Sequence, residues 1–378
     1  AGIKEKKIKM KNVFDITEFG AVGDGASDCT GAIQSAMDAA AAVKGCVLVP
    51  PGEYVCGGLK VPREITVEGF HSWSFRGCGG SVLLLRDAGD ACLLDLSYAI
   101  GCTVKGLSLD GRGIGEGVHG ILVTYGEYNG AGEEDSFRIE DCKVSHFSGD
   151  GVRLKHIWCF SVRHCMLAFN AGSGLYIDGW DGFVLDNWLT GNAGAGLYSD
   201  ATCSSVTLTG NRIEWNRMAG ISLRAAKCCN ITGNYFDRSG GPALSVRGRG
   251  GDAVSDSLTV TGNIFNRSGA GDYGENAPQD AYDDAHVRME RCVNCVVTGN
   301  VCRAGRNDGG TGRLSPFYSF VFRQLRGCII RDNTSQSGAV KQTVLDLGEH
   351  DDGVAVESNV GSPTERLDPW YPTLSRGE

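Results

Sequence analysis

Between about residues 95 and 350 the chain repeats one pattern of apolar and polar positions. A small residue opens a run in which apolar and polar side chains alternate, and a few turn residues follow. A second alternating run then ends in Gly-Asn or Asp-Asn, and a short third run leads to an Asn or Ser turn. Successive units read GVRLKHIWCFSVRHCMLAFNA, GLYIDGWDGFVLDNWLTGNA, GLYSDATCSSVTLTGNRIEWNR and GISLRAAKCCNITGNYFDRSG. The asparagines that close the second run are Asn187, Asn211, Asn234, Asn263, Asn300 and Asn333, at first 24 and 23 residues apart. Alternation with a period of two predicts strands with Leu, Ile, Val and Phe inside, and a fixed period of this size predicts a solenoid. Stacked units would pair as parallel strands about 4.8 Å apart. Asparagine suits the bend between strands because it tolerates the left-handed conformation and bonds nearby backbone. The LxxLxL pattern of leucine-rich repeats is absent. The predicted fold is all-β, a single-stranded right-handed parallel β-helix.

The rest of the chain divides around that repeat. Residues 1–12, with the basic run KEKKIKMK, read as a solvated tail. Residues 13–67 read as a cap with the first strands, 68–362 as the β-helix, and 363–378 as a second tail. In the cap, Thr30 or Asp28 can N-cap a helix whose Ile33, Met37 and Ala40 share one face. Such a helix would cover the open edge of the first coil.

Composition narrows the function. A net charge of −9 argues against a partner held through nucleic-acid phosphates. No run of 18 apolar residues exists to span a membrane. The 56 glycines are scattered singly at turns. Of sixteen cysteines, Cys102, Cys229, Cys295 and Cys328 fall at one inward-facing position, the start of the second strand, where cysteine acts as a small hydrophobe. Cys292 and Cys295 would supply only half a zinc site, with no second pair to complete it. With no apolar leader in the first residues, the thiols point to a reducing, cytoplasmic setting, or to secretion if a signal was trimmed.

Three segments in sequence, FGAVGDG (Phe19 to Gly25), AIQSAMDAA (Ala32 to Ala40) and VLVPPGEY (Val47 to Tyr54), resemble the opening of the pectate-lyase-like right-handed β-helix superfamily. The resemblance implies that fold and a carbohydrate-active protein, and it leaves the reaction open. Members include polygalacturonases, pectate lyases, epimerases, inulin fructotransferases and phage tailspikes. The Asn-Thr-Asp, Gly-His-Gly and Arg-x-Lys signatures of polygalacturonases are missing, so no catalytic residue is carried over.

Loop lengths locate a groove. GRGGDAVSDS (Gly248 to Ser257) and YGEYNGAGEEDS (Tyr125 to Ser136) follow the first strand of a unit, whereas GAGDYGENAPQDAYDD (Gly269 to Asp284) and AGRNDGGTGRLS (Ala304 to Ser315) precede it. Long loops flanking one sheet build walls. Alternation points Tyr176 and Asp178 outward between them. Alignment of the units gives a ladder of Lys155, Asp178, Asp200, Arg224, Arg247, Glu290 and Arg323, with Tyr176 and Tyr198 beside the aspartates. Trp180 and Asp181 lie in the turn beyond. A solvated charge ladder is the plain alternative. Two like charges on adjacent rungs, however, are unfavourable without compensation and suit acid–base work. A second carboxylate pair, Glu214 and Asp237 with Trp215 nearby, occupies the third strand. His286 ends the acidic loop and could reach the groove. His146, His156 and His164 read as turn or surface residues.

These residues predict a glycoside hydrolase or transglycosylase, such as an inulin fructotransferase or difructose-anhydride enzyme, acting on an oligosaccharide or polysaccharide without a cofactor. Asp178 and Asp200 are the core carboxylates, Asp181 supports them, and Trp180, Tyr176 and Tyr198 shape a sugar subsite. The alternative enzyme is a polysaccharide lyase in which the aspartates hold Ca²⁺ and Arg224, Arg247 or Lys155 serves a uronate. A tailspike-like glycan-binding or structural β-helix is the non-enzymatic reading. Assembly into a homotrimer through the sides of the helix is open.

Overall fold

The computed structural model describes residues 12–269, 280–305 and 315–364. Three short parallel strands per coil stack into three faces, as the alternation predicts. Two of the faces merge into one 22-stranded sheet and the third forms a 13-stranded sheet. They merge because Val152–Arg163 and Leu175–Leu185 run unbroken through the corner between first and second faces. Trp180 and Asp181, expected in a turn, therefore lie within a strand. The corner is made by single left-handed residues, Cys159, Asp181 and Ser205, on successive coils.

Seven asparagines, Asn187, Asn211, Asn234, Asn263, Asn300, Asn333 and Asn359, form a ladder at the second corner. In each step the backbone N–H and the Nδ2–H of one asparagine donate to Oδ1 of the next; for Asn187 and Asn211 these are 3.0 and 3.1 Å. The remaining Nδ2 hydrogen reaches a carbonyl of the preceding coil, Val162 O at 2.9 Å for Asn187. The left-handed residue is the one before each asparagine, Asp186, Gly210, Gly233, Gly262, Gly299, Asp332 or Ser358. The asparagines thus serve the ladder and leave the strained dihedral to their neighbours. A second, shorter ladder, Asn170–Asn192–Asn216, spans the third corner, where the sequence pattern had shown only a turn.

The interior is one continuous apolar column, and Cys102, Cys229, Cys295 and Cys328 are buried in it. All sixteen cysteines are free thiols, and most are buried. The helix Thr30–Ala41 closes the N-terminal end with Ile33, Ala36, Met37 and Ala40 buried. Its N-cap residue is Cys29; Asp28 accepts from the Thr30 N–H at 2.9 Å.

The ladder sets an expectation for stability. Asn211→Ala and Asn234→Ala remove the acceptor for a buried N–H and should each lower unfolding free energy by about 1–3 kcal/mol. Urea denaturation measures this, and the groove chemistry should survive because the ladder lies at another corner.

Candidate active site

The outward columns of the first face follow from strand register. Tyr176 pairs with Tyr198, Tyr198 with Ser222, Ser222 with Ser245, and Ser245 with Arg288. Beside them Lys155 pairs with Asp178, Arg224 with Arg247, Arg247 with Glu290, and Glu290 with Arg323. The charged ladder expected from alternation is in place on this face except at Asp200, which lies just past its strand, Leu197–Ser199, and has no register partner.

The two aspartates differ sharply in setting. Asp178 is only 3% exposed because the segment 125–136 folds back across it. Asp135 anchors that segment by accepting from the Tyr125 hydroxyl and from the Trp158 N–H at 2.7 Å. Tyr128 then donates to Asp178 Oδ1 at 2.5 Å and meets Thr202 Oγ1 at 2.8 Å. The Thr202 N–H donates to the same carboxylate oxygen at 3.1 Å. On the other side, His156 Nε2 stands 3.3 Å from Asp178 Oδ2. His156 Nδ1 lies 2.8 Å from the Tyr125 carbonyl, which can only accept, so Nδ1 carries a hydrogen. His156, read from sequence as a turn residue, is thus part of the cluster, and Tyr128 and Thr202 were not singled out at all. The wall segment that carries Tyr128 was flagged by its length, but nothing in the spacing marked one residue within it.

Asp200 is exposed and accepts from the Tyr176 hydroxyl at 3.0 Å. Arg249, from the loop after the first strand, donates to the Asp200 carbonyl at 3.0 Å. Arg153 lies over the Tyr176 ring at 4.0 Å and pairs with Asp150 at 2.7 Å, which fixes the tyrosine. Asp181 accepts from Trp158 Nε1 at 2.9 Å, and Trp180 packs beside Tyr128 at 5.5 Å. Burial, then the nearby Asp178, pushes the Tyr128 phenol above its usual range. Asp178 is ringed by hydrogen-bond donors, a poor fit for a cation. Among the described residues no group of three or more His, Cys, Asp or Glu is placed to hold a metal.

Toward the C-terminus the face opens into a cleft of about 330 Å³. Tyr198 bounds one end, Ser222 and Ser245 form its floor, and Arg217, Arg224, Arg247 and Asp283 stand around it. Glu290 lies beyond, bonded to Arg288 at 2.9 Å.

The other candidates lie elsewhere. Glu214 and Asp237 are register neighbours on the third face, 3% and 1% exposed. Glu214 accepts from Trp188 Nε1 at 2.8 Å and Arg212 at 3.1 Å. Asp237 is held by Arg238, by Arg267 at 2.7 Å and by Asn266 at 3.0 Å. With Arg238 lying 4.4 Å over Trp215, this is an internal ionic brace with no open carboxylate face. His286 does not reach the groove. It is fully buried, with Nε2 3.0 Å from the Gly338 carbonyl. It follows Gly174, Gly196, Gly220 and Ala243 at a corner position that points inside; a side chain added at Gly220 would meet Phe236.

Comparison with known proteins agrees with this architecture. A family model described as the right handed beta helix region matches residues 74–265 and 158–359. The chain belongs to the right-handed β-helix family. A second model, described as rhamnogalacturonase A/epimerase, pectate lyase-like, matches residues 13–68 of this β-helix, which bears out the superfamily resemblance. Two mannuronan C5-epimerases of Azotobacter vinelandii are 54% identical over 52 residues and 41% identical over 80. These stretches are 14% and 20% of this chain but 3% and 8% of the epimerases, so the chain spans under a tenth of their length. Among solved structures, the A-module of an A. vinelandii mannuronan C-5 epimerase superposes with a TM-score of 0.58 at 18% identity, over 93% of this chain and 99% of that one. A DFA-IIIase from Arthrobacter chlorophenolicus A6 in complex with DFA-III gives 0.58 at 15%, over 97% and 99%. The Streptococcus pneumoniae surface adhesin PfbA gives 0.61 at 11%, over 95% and 93%. At these identities the three share the fold.

The buried histidine gives a pH signature. Burial pushes His286 from its ordinary 6.5 down to about 4. Above pH 6.5 folded and unfolded chains are both neutral there. Between 6.5 and 4 only the unfolded chain takes up the proton, so stability falls as pH drops through that window. His286→Gln should make that fall shallower, read as the change in urea midpoint between pH 7 and pH 5 against wild type.

Proposed function

We propose that this β-helix is a carbohydrate-active enzyme that cleaves or transfers a glycosidic bond in the groove over its first face. The observation that carries this reading is the contrast between two outward aspartates on neighbouring coils. Asp178 is enclosed, with His156 Nε2 3.3 Å away and the Tyr128 hydroxyl donating to it; Asp200 is open, with the Tyr176 hydroxyl donating to it. Paired carboxylates in unlike surroundings are suited to divide the roles of acid and base. Asp178 belongs to the proton-donating side. Tyr128, 42% exposed, stands between it and the groove, and its raised pKa keeps it a donor at neutral pH. Asp200 would activate water or attack the anomeric carbon. Tyr198 and Trp180 offer ring surface to the sugar, Tyr176 backs Tyr198 beneath Arg153, and Asp181 holds Trp158 in place. Relatives and fold neighbours that act on mannuronan and on DFA-III support a glycan as substrate.

A second reading is proton exchange at a sugar carbon, as in an epimerase or lyase. The hydroxyl of Tyr128 at the groove, backed by His156, favours it, as do the mannuronan C5-epimerase relatives.

Incubation with a glycan panel, followed by mass spectrometry, tests the first reading. Asp178→Asn and Asp200→Asn should each lower turnover by about a hundredfold or more, while Glu214→Gln leaves turnover largely intact. Full activity in Asp200→Asn would remove the paired-carboxylate mechanism. An unsaturated, ultraviolet-absorbing product, or an inverted sugar without chain shortening, would move the assignment to the second reading.

A further inference from the structure

We propose that the cleft beyond Tyr198 is a subsite for the carboxylate of an acidic sugar, a hexuronate residue of the bound glycan. This rests on reading the groove as a glycan-binding face and adds the chemical class of the substrate.

The cleft exists because of what fills one column. Large side chains, Tyr176 and Tyr198, give way to Ser222 and Ser245 before Arg288 restores bulk. Two coils of small side chains leave a hollow running roughly 5–10 Å past Tyr198, at one strand spacing per coil. That length along the axis suits one sugar unit next to the one at Asp200.

Its lining is cationic. Arg224 and Arg247 are direct neighbours on paired strands, an unfavourable contact for like charges. Arg217 joins them from the adjoining corner. Among the described residues neither Arg217 nor Arg224 has a carboxylate within 4 Å. Arg247 has Asp283 at 3.8 Å, but that carboxylate is bonded more closely to Arg288, at 2.8 Å. Among the described residues, three guanidinium groups thus stand around one small hollow whose lining holds a single carboxylate, Asp283.

Two buried donors there also lack partners. Ser245 is 1% exposed and its Oγ has no hydrogen-bond partner, nor has Arg247 Nε. Buried polar groups without partners are uncommon and call for a ligand or water. A carboxylate in the cleft relieves the repulsion between the arginines, since the guanidinium fork matches its planar oxygens. A hydroxyl of a neutral sugar would fill the space and leave the charges unpaired.

Titration calorimetry at low salt tests this with four tetrasaccharides: mannuronate, galacturonate, a sulfated galactan and a neutral fructan. At least one uronate should bind ten or more times tighter than the fructan and lose affinity as salt rises. Arg224→Gln and Arg247→Gln should each weaken that binding about tenfold or more, a typical loss for a hydrogen bond to a charged group. Thermal melting of both variants verifies their folding. Equal binding of the fructan, or unchanged affinity in both variants, would overturn the subsite. Tighter binding of the sulfated galactan would overturn its assignment to a carboxylate. The proposal fails separately from the enzymatic reading. If Asp178 and Asp200 variants lose turnover on neutral glycans while uronates do not bind, only the subsite falls. If uronates bind through the arginines without any turnover, only the catalytic assignment falls.

Discussion

Every coil of this molecule must present its backbone to the coil before and after it in the same register. The asparagine ladder is the side-chain interaction that meets that demand. A buried primary amide is costly unless all its groups are bonded. Here, between the ends of the ladder, each Oδ1 accepts twice from one neighbour, and each Nδ2 spends its hydrogens on another amide and on a carbonyl. A slip of one residue would unpair the whole column at once, so the ladder penalises misregister far more than it adds to any single coil. Columns on the opposite face inherit that order. Tyr176 stands over Tyr198, and Arg224 over Arg247, because Asn187, Asn211, Asn234 and Asn263 are locked in step.

On that ordered surface the chemistry comes from how differently neighbouring groups are covered. Asp178 and Asp200 each lie two residues beyond a register-paired tyrosine, yet one lies beneath a folded-back segment and the other faces water just past the end of its strand. The covering segment is itself pinned, through Asp135, to the backbone of Trp158. A loop thus acts here as part of the scaffold and sets which carboxylate is enclosed. On the third face the opposite happened: Glu214 and Asp237 acquired arginine and tryptophan partners and became cross-links between coils.

The fold was legible because its two periods, two residues along a strand and a little over twenty along the chain, are written in residue type. The outward ladder from Lys155 to Arg323 could be read for the same reason. Tyr128 could not, since loop backbones carry no period and its contact with Asp178 spans fifty residues. His156 was set aside as a turn residue, but its left-handed backbone aims the ring at the carboxylate. His286 was assigned by its nearness to an acidic loop. Its alignment with Gly174, Gly196 and Gly220 was the better guide, because a column of glycines marks a direction that enters the core. The shorter Asn170–Asn192–Asn216 ladder was present in the repeat as well, but only three members long before Ser239 replaces it.

The distance along the chain between ladder asparagines grows from 23 residues to 37, yet in space each step stays a single coil. The chain leaves the stack beside the first face and returns to the same rail. Closing a longer loop adds only fractions of a kcal/mol per doubling of its length. The walls can therefore be lengthened, exchanged or lost with little consequence for the stack beneath. In evolutionary terms, the molecule separates an inherited frame from a freely rewritten mouth.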